Sequence, residues 1–249
     1  MATPDRESVL NELEVLATLE HALIVEFLSI ACALGLDLDA QDGGPTTDRG
    51  RDAASAASAR AFTEMFHFKR LNRALVGSGR PPRMDRAEEV TTTSGQVLPI
   101  PPDQAGLERL LERERSLAAA VDDRYAEAAA ALTTVFDGDE LNEWRDVLVD
   151  NAPNHVGDLA DLQTALDGVA PADFLRATRR TPNDGFEERM LEMNSRIYGV
   201  IVRALQGSFD PDFGVAGSFR DIATSLMTPM DDSNHLLVQR GLLPPFPLV

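Results

Sequence analysis

Chargeable residues stand inside the apolar stripes of four consecutive helical segments, and this limits the possible folds more than any other feature of the chain. A stripe of Leu, Ala and Ile at helical spacing is the face that packs into a core. A carboxylate in that stripe is carried inward with it. Buried without a partner it costs on the order of several kcal/mol, so four such seams demand a metal, protons or salt bridges.

The first segment, 7–35, carries Leu13, Leu16, Ala17, Ile24, Phe27, Leu28 and Ala31, with Glu20 in the same stripe. Glu26 is offset from Glu20 by about 240°, which places it beside the stripe or at the surface. The second, 52–76, carries Ala53, Ala56, Ala57, Leu71 and Leu75 in line with Glu64 and His67, and Gly77-Ser78-Gly79 ends it. The third, 107–136, places Glu114 and Tyr125 among Leu107, Leu110, Leu111, Leu117, Ala118, Val121 and Ala128. The fourth, 139–167, places His155 among Leu141, Trp144, Leu148, Leu159, Leu162 and Leu166.

Between the second and third segments lies a stretch from Gly77 to Gly106 with Pro81, Pro82, Pro99, Pro101 and Pro102. Long connections without structure are unusual in compact domains. The crossover of a ferritin-like bundle, which must run the bundle's length, is an exception. The fold expected is therefore all-α, a ferritin-like four-helix bundle with a long helix 2–3 crossover. One domain is expected over 1–249, with a core bundle at 7–167. Two accessory helices at 186–207 and 217–240 and a proline-rich strap, Leu243-Pro244-Pro245-Phe246-Pro247, complete it. Pro229 and the run Asp231-Asp232-Ser233-Asn234 suggest a helix restart inside the last segment.

Glu64-Met65-Phe66-His67 is the most specific local pattern. Residues three apart on a helix lie about 60° apart around its axis, so Glu64 and His67 point the same way. A di-iron or di-manganese bundle needs one Glu from each of two helices and a Glu-x-x-His from each of two others. Glu20, Glu64 with His67, Glu114 and His155 follow that order. The fourth segment departs from it, because Ala152 stands where the second Glu is expected. The nearest acid, Asp150, lies about 140° from His155 on a regular helix. Pro153 must bulge or break the helix there. A π-type bulge would bring Asp150 and His155 onto one face. A straight helix would leave Asp150 outside and the site with one metal or none.

The expected metal ligands are thus Glu20, Glu64, His67, Glu114, Asp150 and His155, for one or two iron or manganese ions. The expected catalytic groups are Glu64, His67 and Tyr125, whose hydroxyl either donates to a ligand or substrate or simply packs. Glu114, in the Arg/Glu-rich stretch 108–115, reads alternatively as an ion-pair residue. His21 reads as peripheral. Asp232 and His235 mimic a ligand pair, with an N-cap as the competing reading.

The composition is 43% hydrophobic and 26% charged, and the net charge of −18 argues against nucleic acid and anionic membrane surfaces as partners. One cysteine, Cys32, excludes a disulfide framework and a thiolate zinc site. The start of the chain lacks a signal-peptide pattern, and the apolar run 21–38 is interrupted by Glu26, so a cytoplasmic protein is expected. The expected partner is a small molecule, and a homodimer stays open.

Several of these stretches resemble the ferritin-like domain associated with iminophenylpyruvate dimer synthases of bis-indole pigment pathways. They are Leu19-Glu20-His21-Ala22; Glu64-Met65-Phe66-His67 running through Leu71-Asn72-Arg73-Ala74-Leu75 to Gly77-Ser78-Gly79-Arg80-Pro81; Val97-Leu98-Pro99-Ile100-Pro101; Asn194-Ser195-Arg196-Ile197-Tyr198; and Leu243-Pro244-Pro245-Phe246. Val25-Glu26 stands where that family has a proline pair. The resemblance implies Glu20, Glu64, His67, Glu114 and the Asp150/His155 region as metal ligands. It also implies a non-haem metal oxidoreductase acting on a small organic molecule in specialised biosynthesis. The residues themselves leave two other readings: a metal-free cyclase or isomerase using the Glu/His cluster for proton transfer, and a non-catalytic metal-binding protein.

Overall fold

A computed structural model of the chain describes residues 5–36, 38–42, 44, 47–92, 94–209 and 216–248. It is mostly helical, at 72% helix and 3% strand. Helix α1 spans Arg6–Ala33 and opens where the Asp5 carboxylate accepts from the Ser8 amide at 2.8 Å. Helix α2 spans Asp48–Gly77 and is capped by the Thr47 hydroxyl on the Gly50 amide. The two pack along their lengths through Ala17, Ala53, Ala57, Ala61 and Leu71, all essentially inaccessible. Small residues here let the two backbones come close.

α1 is long and apolar enough to cross a membrane by length and composition, but 83% of its most apolar window is buried in the fold. Glu14, Glu20 and Glu26 are buried with it.

The crossover is not structureless. It folds into a short antiparallel hairpin, β1 (Glu89–Thr91) with β2 (Val97–Pro99), pairing Val90 with Leu98. Val90, Leu98 and Ile100 are its core contacts. Helix α3 (Gln104–Glu108) then leads into α4 (Leu110–Val135), which packs against α1.

The fourth segment is broken into pieces, as Pro153 requires: α5 (Gly138–Arg145), a π turn (Asp146–Asp150), α6 (His155–Asp158) and α7 (Ala160–Leu166). The Asn151 amide reaches back to the Asp146 carbonyl at 2.9 Å, and the chain then leaves the helix. The bulge expected before Pro153 is present, and the expected continuous helix over 139–167 is not. A further short helix, α8 (Pro171–Phe174), lies in the following linker.

Helices α9 (Gly185–Phe209) and α10 (Ala216–Gln239) pack on each other. They meet α1 and α2 through a second apolar cluster containing Ile24, Val25, Phe68, Tyr198, Ile201 and Met230. α10 runs unbroken through Pro229, so the expected helix restart at 231–234 is corrected. Proline removes only one backbone bond, and packing of Ala223, Met230 and Leu237 holds the helix on both sides of it. The C-terminal strap is present. Leu243 donates to the Thr178 carbonyl at 3.1 Å, and Phe246 sits edge-on to Tyr198 with ring centres 5.5 Å apart.

Candidate metal centre

Four of the six expected ligands converge. One donor atom from each of Glu20, Glu64, His67 and His155 lies within 4.8 Å of the others. Glu20 and Glu64 are wholly inaccessible, His155 is 2% exposed, and only the His67 side chain, at 11%, approaches solvent. Glu64 and His67 face inward together, one helical turn apart, with Oε2 of Glu64 at 2.8 Å from Nδ1 of His67. Glu20 comes from α1, its Oε2 3.7 Å from the same nitrogen.

His155 reaches the cluster because the fourth segment breaks. Freed from a continuous helix, it becomes the first residue of α6, and Asp122 of α4 caps that short helix from outside. The Asp122 carboxylate accepts from the His155 and Val156 amides at 3.1 Å each and from Nδ1 of His155 at 2.6 Å. A carboxylate receiving three donors can only accept, so Nδ1 carries the proton and Nε2 turns its other face to the cluster. Nε2 lies 3.4 Å from Oε1 of Glu20 and 3.4 Å from Oε2 of Glu64, with no hydrogen bond of its own.

Two further groups complete the surroundings. The Tyr125 hydroxyl donates to Oε1 of Glu20 at 2.5 Å, so of the two readings left open for it the hydrogen-bonding one describes its position. Arg60, one turn before Glu64 and 6% exposed, sets its guanidinium 2.6 Å from the outer oxygen of Glu64 and 2.5 Å from Asp158.

The electrostatics follow from this arrangement. Burial alone would raise Glu20, but the imidazoles of His155 and His67 more than offset it and hold the carboxylate well below its usual range. Burial would lower His67, yet Glu20 and Glu64 beside it push it up to about 9. His155 goes the same way, burial being outweighed by Asp122, Glu20 and Glu64. Burial and the Glu20 charge keep Tyr125 protonated far above its ordinary value. Two carboxylates thus face two imidazoles, and the Glu64 charge is partly met by Arg60. Two protons on the imidazoles, or one divalent cation among the four donors, balance the remainder.

The other expected ligands lie elsewhere. Glu114 does not join the cluster. It is buried along the bundle beside Glu26 and Arg113, with Nη2 of Arg113 2.9 Å from Glu26 and Nη1 3.9 Å from Glu114. The ion-pair reading of Glu114 is the one its position matches, though buried rather than solvated. Glu26, expected beside the stripe or at the surface, is 0% exposed.

Asp150 points outward, its side chain 56% exposed and 3.8 Å from Arg145. The helical phase that would have aligned it with His155 is lost because the chain leaves the helix at Asn151, φ −126° and ψ 31°. Asp232 is exposed on α10, and His235 lies 3.9 Å from Asp231 on the same helix. His21 faces away from the cluster, its Nε2 2.7 Å from the Tyr198 hydroxyl. Burial and the nearby Arg86 push it down to about 4.

Asp122 and Arg60 were not singled out in the sequence, although each carried a faint signal. Asp122 stands three before Tyr125, and Arg60 four before Glu64, spacings that share a helix face.

Comparison with family models, with curated proteins and with solved structures finds no match.

Proposed function

We propose that this chain is a ferritin-like, non-haem metal oxidoreductase acting on a small organic molecule, with a single iron or manganese ion held by Glu20, Glu64, His67 and His155. One observation carries the reading. Nε2 of His155, its tautomer set by Asp122, faces two carboxylate oxygens with nothing to bond to. Two carboxylates and two imidazoles turned toward one another in a buried space need positive charge among them, which a cation supplies in place of the imidazole protons. Two imidazoles and two carboxylates, with no thiolate, suit iron(II) or manganese(II). One ion rather than two is favoured because Glu114 and Asp150, which a second ion would require, point elsewhere. The order α1, α2, long crossover, α4 and α6, with ligands on α1, α2 and α6, supports the ferritin-like assignment.

Such an ion, when bound, supplies a redox-active centre able to activate dioxygen. The chain's own residues do the rest. Asp122 fixes the His155 ring, Arg60 holds the outer oxygen of Glu64, and the Tyr125 hydroxyl orients Glu20 while keeping its own proton. Ala17, Ala57, Ala61 and Val121, buried on the same helices, limit the water that reaches this core.

The test is metal loading under anaerobic conditions. Chelated protein should take up one equivalent of iron(II) or manganese(II), releasing close to two protons as both imidazoles are displaced from their protonated state. Air should then oxidise the bound iron. Absence of stoichiometric uptake would overturn the reading and leave a proton-filled cluster suited to acid–base chemistry.

A further inference from the structure

α2 shows two different faces to the fold. Glu64 and His67 look into the bundle, whereas Met65, Phe68 and Lys69 line a cavity of about 600 Å³ between α1, α2, α9 and α10. This lies within the usual size of small-molecule sites. Nothing in the metal centre accounts for it.

The cavity has a polarity gradient. Its deep end is buried, at His21, Met84 and Tyr198. There Nε2 of His21 and the Tyr198 hydroxyl are joined at 2.7 Å, and Nδ1 of His21 is buried without a hydrogen bond. The walls combine aliphatic, thioether and aromatic side chains: Met65, Met84, Met227 and Met230 are four of the chain's seven methionines, and Phe68 and Phe209 stand among them. The methionines, unbranched and polarizable, let these walls adapt to a flexible chain. The mouth carries exposed Lys69, Arg73 and Arg220, with no carboxylate among the described lining residues. Lys69 is the only lysine in a chain of net charge −18. Three cations gathered at one opening of so acidic a protein attract an anion and reject a cation.

We propose that this cavity binds a straight-chain amphiphilic carboxylate, tail inward between α9 and α10, headgroup outward among Lys69, Arg73 and Arg220. The site is independent of the metal centre, and its test uses the chelated full-length protein as well as the metal-loaded one.

The experiment is calorimetric titration with octanoate, decanoate and dodecanoate below their micellar concentrations. One equivalent should bind, and affinity should rise about fourfold per added methylene, the equivalent of ~0.8 kcal/mol per buried CH2. Dodecyltrimethylammonium, with the same tail and the opposite charge, should bind at least tenfold more weakly. Phenylacetate, with the same headgroup on a compact ring, should also bind more weakly than dodecanoate.

The triple variant Lys69→Ala, Arg73→Ala, Arg220→Ala changes only exposed residues and should lose at least tenfold in dodecanoate affinity with unaltered helicity. Leu205→Trp, which fills the cavity from α9, should abolish the chain-length dependence. Equal affinity for the two headgroups, no dependence on chain length, or tighter binding of phenylacetate would each overturn the proposal. So would a dimer that Phe62→Ala, Phe66→Ala dissolves while dodecanoate fails to bind, because Phe62 and Phe66, 60% and 63% exposed at the mouth, would then be an interface between copies.

Discussion

Two carboxylates of α1, Glu20 and Glu26, are both 0% exposed, six residues apart on one helix, yet they are stabilised in different ways. Glu20 meets two imidazoles, whose charge can be exchanged, and a neutral tyrosine hydroxyl. Glu26 meets Arg113, whose charge is permanent, and Glu114. Burial and the adjacent Glu114 push Glu26 well above the usual carboxylate range, and burial raises Glu114 too. Nη2 of Arg113 also donates to the Pro99 carbonyl at 2.5 Å, tying the crossover hairpin to α4. Burial of a carboxylate is therefore no mark of function by itself. What separates the clusters is whether the counter-charge can leave, because imidazole protons can give way to a metal and a guanidinium cannot.

The largest expected contrast is in metal content. His155→Ala should reduce bound iron or manganese from about one equivalent to near zero, measured by elemental analysis after gel filtration. Glu114→Gln should leave it at one. Loss of metal in the Glu114 variant would erase the distinction between the clusters.

Next comes stability. Arg113→Met strands Glu26 and Glu114 without their cation and should cost about 3 kcal/mol in urea unfolding, with metal stoichiometry intact. The deficit should shrink at lower pH, where both carboxyls can protonate.

A smaller effect is expected at Asp122, which acts through another residue. Asp122→Asn should keep the helices but weaken metal affinity about 10–100-fold, because it no longer fixes the His155 tautomer. Unchanged affinity would reduce Asp122 to a helix cap.

The mildest contrast concerns pH in the metal-free protein. His67 is raised to about 9 from an ordinary value of 6.5, so its stabilising contribution is complete below 6.5 and lost as pH rises through 9. Metal competes with that proton, so metal affinity should rise over the same interval. The melting-temperature gap between metal-loaded and chelated protein should therefore widen from pH 6.5 to 9, and His67→Gln should flatten the dependence.

Much of this was legible from residue spacing. Helical periodicity placed α1, α2, α4, α9 and α10 within a few residues of their observed ends, because a 3.6-residue apolar repeat is a local property. The same repeat put Glu20, Glu64, His67 and His155 on inward faces. It could not tell Glu20 from Glu114, since both sit in apolar stripes and the neighbour that decides, Arg113, lies beside Glu114 in sequence but turns inward only through its contact with Glu26 and Pro99. Pro153 announced a break near residue 150 but not its direction. Once the helix ends at Asn151, angular phase carries no information from Asp150 to His155.

The sequence by itself determined the all-α class, the seams and the residue types available for a cation, because these depend on spacing along one helix at a time. Only the tertiary structure decided which seams share a site. That choice rests on Asp122 crossing from α4 to cap α6 and swing His155 inward, on Arg60 closing the outer side of Glu64, and on α9 and α10 leaving a cation-rimmed cavity against α2. Each joins elements distant in the chain. No local repeat encodes such contacts, because they are fixed by how whole helices pack.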